Sequence, residues 1–121
     1  MEERKTGKLY IVGTPIGNLG DITVRALEVL KSADLIACED TRHTLGLLTH
    51  FGIRKPLVSY YKPKEKEGAE RILASLRRGD TVALVTDAGM PCISDPGALL
   101  VGRAVNEGIE VSSAPGPTAV T

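Results

Sequence analysis

The chain has 121 residues, 42% of them apolar and 25% charged, a balance that fits a folded globular protein rather than a disordered one. Fifteen Lys and Arg cancel fifteen Asp and Glu, so the composition lacks the usual basic footprint of a nucleic-acid binder, although a local patch is compatible with it. No apolar run approaches membrane-spanning length, and Met1 to Lys8 is too polar for a secretory signal, so no membrane partner is expected.

Residues 1–7 read as a frayed, charged tail. Leu9 to Val12 is a short buried strand within about Lys8–Gly13, followed by a loop carrying Gly13, Gly17 and Gly20. Asp21 or Thr23 can cap a helix over about 22–32, with Ile22, Ala26, Val29 and Leu30 toward a sheet. The loop lacks the dinucleotide fingerprint and the Lys–Ser/Thr of a phosphate loop. Asp34 to Cys38 is a second strand. A second helix starts at Glu39 to Thr41 and runs to about Thr49, with Leu45, Leu48 and Phe51 on its apolar side and Gly52 as its stop. Leu57 to Tyr60 is a third strand, and the polar stretch from Tyr61 to Gly68 is a loop or a helix start.

Ala69, Ile72, Leu73 and Leu76 recur at helical spacing, and Gly79 closes that helix. Thr81 to Thr86 is apolar enough to be a central strand. Asp95-Pro96 reads as cap and first residue of a fourth helix, which pairs Leu100 with Ala104 and Val101 with Val105 and ends at Gly108. Ile109 to Ser112 is the fifth strand. This alternation predicts a three-layer α/β domain with a five-stranded, mainly parallel sheet flanked by helices. Pro117 would open a further helix that Thr121 cuts short, so the chain reads as the N-terminal part of a longer one. Cys38 and Cys92, far apart and without histidines at metal spacing, read as neutral thiols. They predict no metal site and a cytoplasmic location.

Three loops leave the same edge of such a sheet: Thr14 to Asp21, Asp87 to Ser94 and Ala114 to Thr118. Each combines Gly or Pro with small residues, so backbone groups would contact a ligand; ordinary turns have the same composition. Asp87, at the end of a buried strand, either caps local N–H groups or accepts hydrogen bonds from a ligand, and Met90 either lines a site or fills the core. Glu39, Asp40, Arg42 and His43 form a second polar cluster. Capping and solvation explain it, and so does a role for one of them in orienting or deprotonating a hydroxyl. His50 reads as a plain helix-end residue, and Lys62, Lys64 and Lys66 are offset by Glu65 and Glu67. Three Tyr, one Phe and no Trp leave few stacking platforms.

Residues 10–23 (YIVGTPIGNLGDIT) resemble the opening of the tetrapyrrole methylase superfamily, and more narrowly of its ribosomal RNA small subunit methyltransferase I branch. Residues 33–42 (ADLIACEDTR), 86–97 (TDAGMPCISDPG) and 115–119 (PGPTA) are similar to that branch's next three signatures, in order. The resemblance implies a tetrapyrrole-methylase-like N-terminal domain over 8–121, followed in the family by a second α/β domain. It implies S-adenosylmethionine as cofactor, methylation of the ribose 2′-hydroxyl of a cytidine in 16S rRNA, and a homodimer. Carried over by position, Pro15, Ile16, Gly17, Asp87, Gly89, Met90, Thr118 and Ala119 are cofactor neighbours, and Asp40 is the candidate base. With one wall of the cleft, the chain alone is expected to bind cofactor weakly and to lack activity.

Thr86-Asp87-Ala88 stands where the superfamily has Gly-Asp-Pro, which argues against the alternative of a precorrin C-methyltransferase. Gly13, Met90 and Thr118 stand where alanine, threonine and serine are common in the branch. Tyr61 to Lys64 replaces its His-Glu-His-Asn type segment. A further alternative, a non-catalytic module that binds RNA or a protein partner, predicts no S-adenosylmethionine binding.

Overall fold

The computed structural model describes residues 7–14, 22–39, 41–60, 65–87 and 95–114. The described elements are β1 (Lys8–Thr14), α1 (Val24–Ser32), β2 (Leu35–Cys38), α2 (Thr41–His50), β3 (Leu57–Ser59), α3 (Glu65–Arg77), β4 (Thr81–Asp87), α4 (Asp95–Asn106) and β5 (Glu110–Ala114). All strand pairs are parallel, in the order β3-β2-β4-β1-β5. The expected α/β sheet is present, and β4 is its central strand.

From β1 to β2 to β3 the chain steps toward one edge of the sheet; from β3 to β4 to β5 it steps back. Right-handed crossovers therefore send α1 and α2 to one face and α3 and α4 to the other. Side-chain alternation along the strands agrees. Leu35, Ala37, Val82 and Leu84 pack with Ile72, Leu73, Leu76 and Leu100, whereas Ile36, Cys38, Ala83 and Val85 pack with Ala26, Leu30, Leu47 and Leu48. Burial on both faces is why these strands are nearly unbroken apolar runs.

The helix ends follow local chemistry. The Thr23 side chain accepts a hydrogen bond from the Ala26 N–H at 3.0 Å, so Thr23 rather than Asp21 caps α1, which begins two residues later than expected. Helices α2, α3 and α4 stop at Gly52, Gly79 and Gly108, with φ of 71°, 100° and 78°. Behind each glycine the next N–H reaches back five residues: Ile53 to the Leu48 carbonyl, Asp80 to Ser75 and Ile109 to Ala104. These are Schellman closures, in which the left-handed residue releases the chain without leaving the last carbonyls unpaired.

Two core expectations are corrected. The inner face of α2 is Thr44, Leu47 and Leu48, and Leu45, one residue or about 100° round from Thr44, is 56% exposed. Val105 stands in the same relation to Ala104 and is 58% exposed, while Leu100 and Ala104 are fully buried. The strands also run slightly further than expected. Thr14, Asp87 and Ala114 are the last residues of β1, β4 and β5, not loop residues. Among the described residues no helix is long and apolar enough to cross a membrane.

Candidate functional site

Strand order decides which loops meet. β1 lies between β4 and β5, so the carboxyl ends preceding all three glycine- and proline-containing loops stand side by side. Thr14 is in register with Asp87 across β1 and β4, and Val12 with Ala114 across β1 and β5. The helix after β1 packs on one face and the helix after β4 on the other. Where neighbouring parallel strands send their chains to opposite faces, a crevice opens at their carboxyl ends, and this is where open α/β sheets take ligands. The Thr14–Asp87 pair marks that point.

The strands behind the pair are held firmly. Val82 to Val85 are all at most 2% exposed, which leaves the rim no freedom to shift along the sheet. The buried Thr86 hydroxyl donates to the Val12 carbonyl at 3.4 Å, a side-chain tie across β1 and β4 one residue behind the rim. From the other side the buried Tyr60 hydroxyl reaches the Val85 carbonyl in a long hydrogen bond of 3.5 Å, and the Tyr60 N–H donates to the Cys38 carbonyl at 3.1 Å. Tyr60 thus braces the end of β3 against β4, two residues short of Asp87. The sequence pattern marks it only as a strand residue; its one signal is a hydroxyl-bearing ring at the end of the short Leu57-Val58-Ser59 strand.

Of the cofactor candidates, Asp87 is the one whose backbone is described, at the tip of the central strand. Pro15, Ile16, Gly17, Gly89, Met90, Thr118 and Ala119 lie outside the described residues, as does the candidate base Asp40. Of the second polar cluster, Glu39 follows β2 and is half-buried, Arg42 is exposed and His43 half-buried in the first turn of α2. The Cys38 thiol is buried, as expected, against the Val58 carbonyl at 3.9 Å; Cys92 lies outside the described residues. Among the described residues, the carboxyl groups with shifted pKa lie elsewhere. The Ser75 hydroxyl, and then Arg78, hold the Asp80 carboxyl below the usual range, and Arg77 does the same for Glu107. Both belong to helix-closing turns.

Chemically, the three neighbouring strand ends are Asp87, Thr14 and Ala114 in sheet order, one carboxylate-bearing residue with no Lys or Arg. That donor set suits hydroxyl groups or a cationic ligand and is poor for a polyphosphate.

Residues 8–121 match the family model described as Tetrapyrrole (Corrin/Porphyrin) Methylases. A relative from Thermotoga maritima, named ribosomal RNA small subunit methyltransferase I, is 56% identical over 115 residues, or 95% of this chain and 52% of its own length. Among solved structures, a uroporphyrin-III-C-methyltransferase from Thermus thermophilus superimposes with a TM-score of 0.69 at 28% identity, over 91% of this chain and 47% of that one. Another structure, described as uroporphyrin-III C-methyl transferase from the same organism complexed with S-adenyl homocysteine, has a TM-score of 0.70 at 24% identity. It covers 91% of this chain and 48% of its own. The chain spans about half the length of the Thermotoga relative.

Proposed function

Because the chain belongs to the tetrapyrrole methylase family, we propose that the protein transfers a methyl group from S-adenosylmethionine to the ribose 2′-hydroxyl of a cytidine in 16S rRNA. The observation that carries this is the 56% identity to a relative named for small-subunit rRNA methylation, against 28% to a uroporphyrin methyltransferase. The rim chemistry fits the cofactor: a carboxylate and small residues suit ribose hydroxyls and a sulfonium cation. Asp87 accepts hydrogen bonds from the bound donor, and Pro15, Ile16, Gly17, Gly89, Met90, Thr118 and Ala119 line it mainly through backbone groups. When bound, S-adenosylmethionine supplies an electrophilic methyl group on sulfur.

What the protein adds is alignment and proton handling. Holding the acceptor oxygen in line with the methyl carbon supplies much of the rate enhancement available to such a reaction. A ribose hydroxyl is a weak nucleophile at neutral pH, so a base within hydrogen-bond reach is needed, and Asp40, between β2 and α2, takes that role. The 2′-hydroxyl also lets the protein distinguish RNA from DNA. A second α/β domain closing the cleft, and a homodimer, belong to the same reading.

The test is transfer of labelled methyl from S-adenosylmethionine to small ribosomal subunits by the native protein. Label in a cytidine 2′-O-methyl supports the assignment; label in a precorrin and none in RNA transfers it to the tetrapyrrole branch. No S-adenosylmethionine binding at all by calorimetry leaves a non-catalytic module.

A further inference from the structure

The neutral total conceals a segregation of charge. Positions 41–64 contain Arg42, Arg54, Lys55, Lys62 and Lys64 and not one of the fifteen acidic residues. The rest of the chain therefore holds ten basic residues against all fifteen acidic ones. On the α3/α4 side and at the outer edge of β5, four cations are neutralised in place: Lys8 by Glu110 at 3.2 Å, Arg77 by Glu107 at 2.6 Å, Arg78 by Asp80 at 3.0 Å and Arg103 by Glu70 at 2.7 Å, while Arg71 of α3 has no ion-pair partner among the described residues. On the α2 side, exposed Arg54 and half-buried Lys55 have no ion-pair partner among the described residues.

The backbone that carries these two cations is pinned at both ends. Arg54 and Lys55 connect Ile53, whose N–H donates to the Leu48 carbonyl at 2.8 Å, to Pro56, whose carbonyl accepts from the Ile36 N–H at 2.9 Å. They line a groove of about 380 Å³ with Leu45, Leu48, Thr49 and Gly52. Its Leu45 wall is the residue the helix turns outward, 56% exposed.

We infer that the α2–β3 connection is the docking surface for single-stranded RNA flanking the methylated nucleotide, with backbone phosphates on Arg54 and Lys55 and one unstacked base against Leu45. The inference rests on the rRNA reading above and assigns that substrate a surface. Charge complementarity selects a polyanion, and an exposed apolar wall beside two cations suits a single strand, whose unstacked bases take apolar contacts while its phosphates pair with the cations. Helix α2 is ten residues long, about 15 Å, and it begins beside the end of β2. The groove at its far end therefore receives nucleotides a few positions away from the acceptor.

The experiment compares the native protein with R54E/K55E, with R54Q/K55Q and, as a control, with R103A, whose cation Glu70 already neutralises. Binding of a naked single-stranded 16S rRNA fragment is read by fluorescence polarisation across a salt series, alongside methyl transfer and S-adenosylmethionine affinity. Two lost phosphate contacts lower the slope of log affinity against log salt by about 1.4 for single strands. The double variants should show that flattening, a roughly tenfold weaker RNA affinity near 0.1 M salt, a raised KM for RNA, and unchanged kcat and cofactor affinity. R103A should match wild type. Unchanged RNA affinity and slope in both double variants overturns the inference, as does a defect seen with assembled subunits but not with naked RNA, which would mean the face meets a ribosomal protein. Because RNA binding is read directly, wild-type protein that binds through this face yet transfers no methyl supports the surface and sinks only the functional reading.

Discussion

Gly68 and Gly102 both lie inside helices, and replacing each by alanine should move stability in opposite directions. Gly68 is buried in the first turns of α3, where the helix crosses the end of β3. A Cβ there meets the Ser59 carbonyl oxygen far inside contact distance, and lies 2.9 Å from Tyr60 Cα and 3.2 Å from the Ser59 carbonyl carbon. All three are backbone atoms, and the Tyr60 N–H is tied to the Cys38 carbonyl, so no rotamer change relieves the clash and the helix must lift. Overpacking of this kind costs about 1–3 kcal/mol, opposed by about 1 kcal/mol of alanine helix propensity. A net loss of about 1 kcal/mol is expected.

Gly102 on α4 has nothing within 4 Å of such a Cβ, so Gly102→Ala keeps the propensity gain of about 0.5–1 kcal/mol. The variants should therefore differ by about 2 kcal/mol, or roughly 6–12 °C in Tm at this chain length. Urea unfolding with a common m-value reads the difference. Equal stabilisation by both substitutions would refute the claim that α3 is seated by backbone-to-backbone contact. It would also undo the account of Tyr60 as a brace, since the same seat positions it.

Other expectations follow from single observations. Leu48→Ala should lose about 2–5 kcal/mol as a fully buried residue, and exposed Leu45→Ala less than about 0.5 kcal/mol, by denaturant melts; equal losses would restore the inward placement of Leu45. Thr23→Ala removes the α1 cap and should cost about 1 kcal/mol in the same assay. Asp80 and Glu107 have pKa values held below their ordinary ones by Ser75 with Arg78 and by Arg77. Their contribution is complete above the unfolded-state pKa and is lost as pH falls through the folded one. Stability should therefore decline below about pH 4, and D80N/E107Q should flatten that decline in acid titration. In the native protein Asp87→Ala should weaken S-adenosylmethionine binding by calorimetry, whereas Asp40→Asn should lower kcat by about 10²–10⁴ with cofactor affinity retained.

Local physics made most of the elements legible. Apolar runs marked strands because a parallel sheet is buried on both faces, and the glycines at 52, 79 and 108 announced helix ends because a left-handed residue is needed there. Where local pattern failed, the helix phase was at issue. Leu45 and Val105 are apolar and well spaced, but Thr44 and Ala104 take the inward positions because the whole contact face, not one pair, sets a helix's rotation. Likewise the alternation of Lys and Glu around position 65 drew attention, while the acid-free stretch preceding it is an absence, visible only when the whole chain is counted.

By itself the amino-acid order determined the fold class, the helix stops, the buried strands and, through four short signatures, the family. The tertiary structure alone decided that β1 runs between β4 and β5, which brings Thr14 beside Asp87 and sets the ends of three strands distant in sequence side by side. It alone decided that Tyr60 reaches Val85, and that Arg54 and Lys55 have no acidic partner among the described residues. The reason is the range of the interactions. Propensity, capping and periodicity act within a few residues, whereas strand order and charge pairing depend on partners tens of positions away, which only the packed chain brings together.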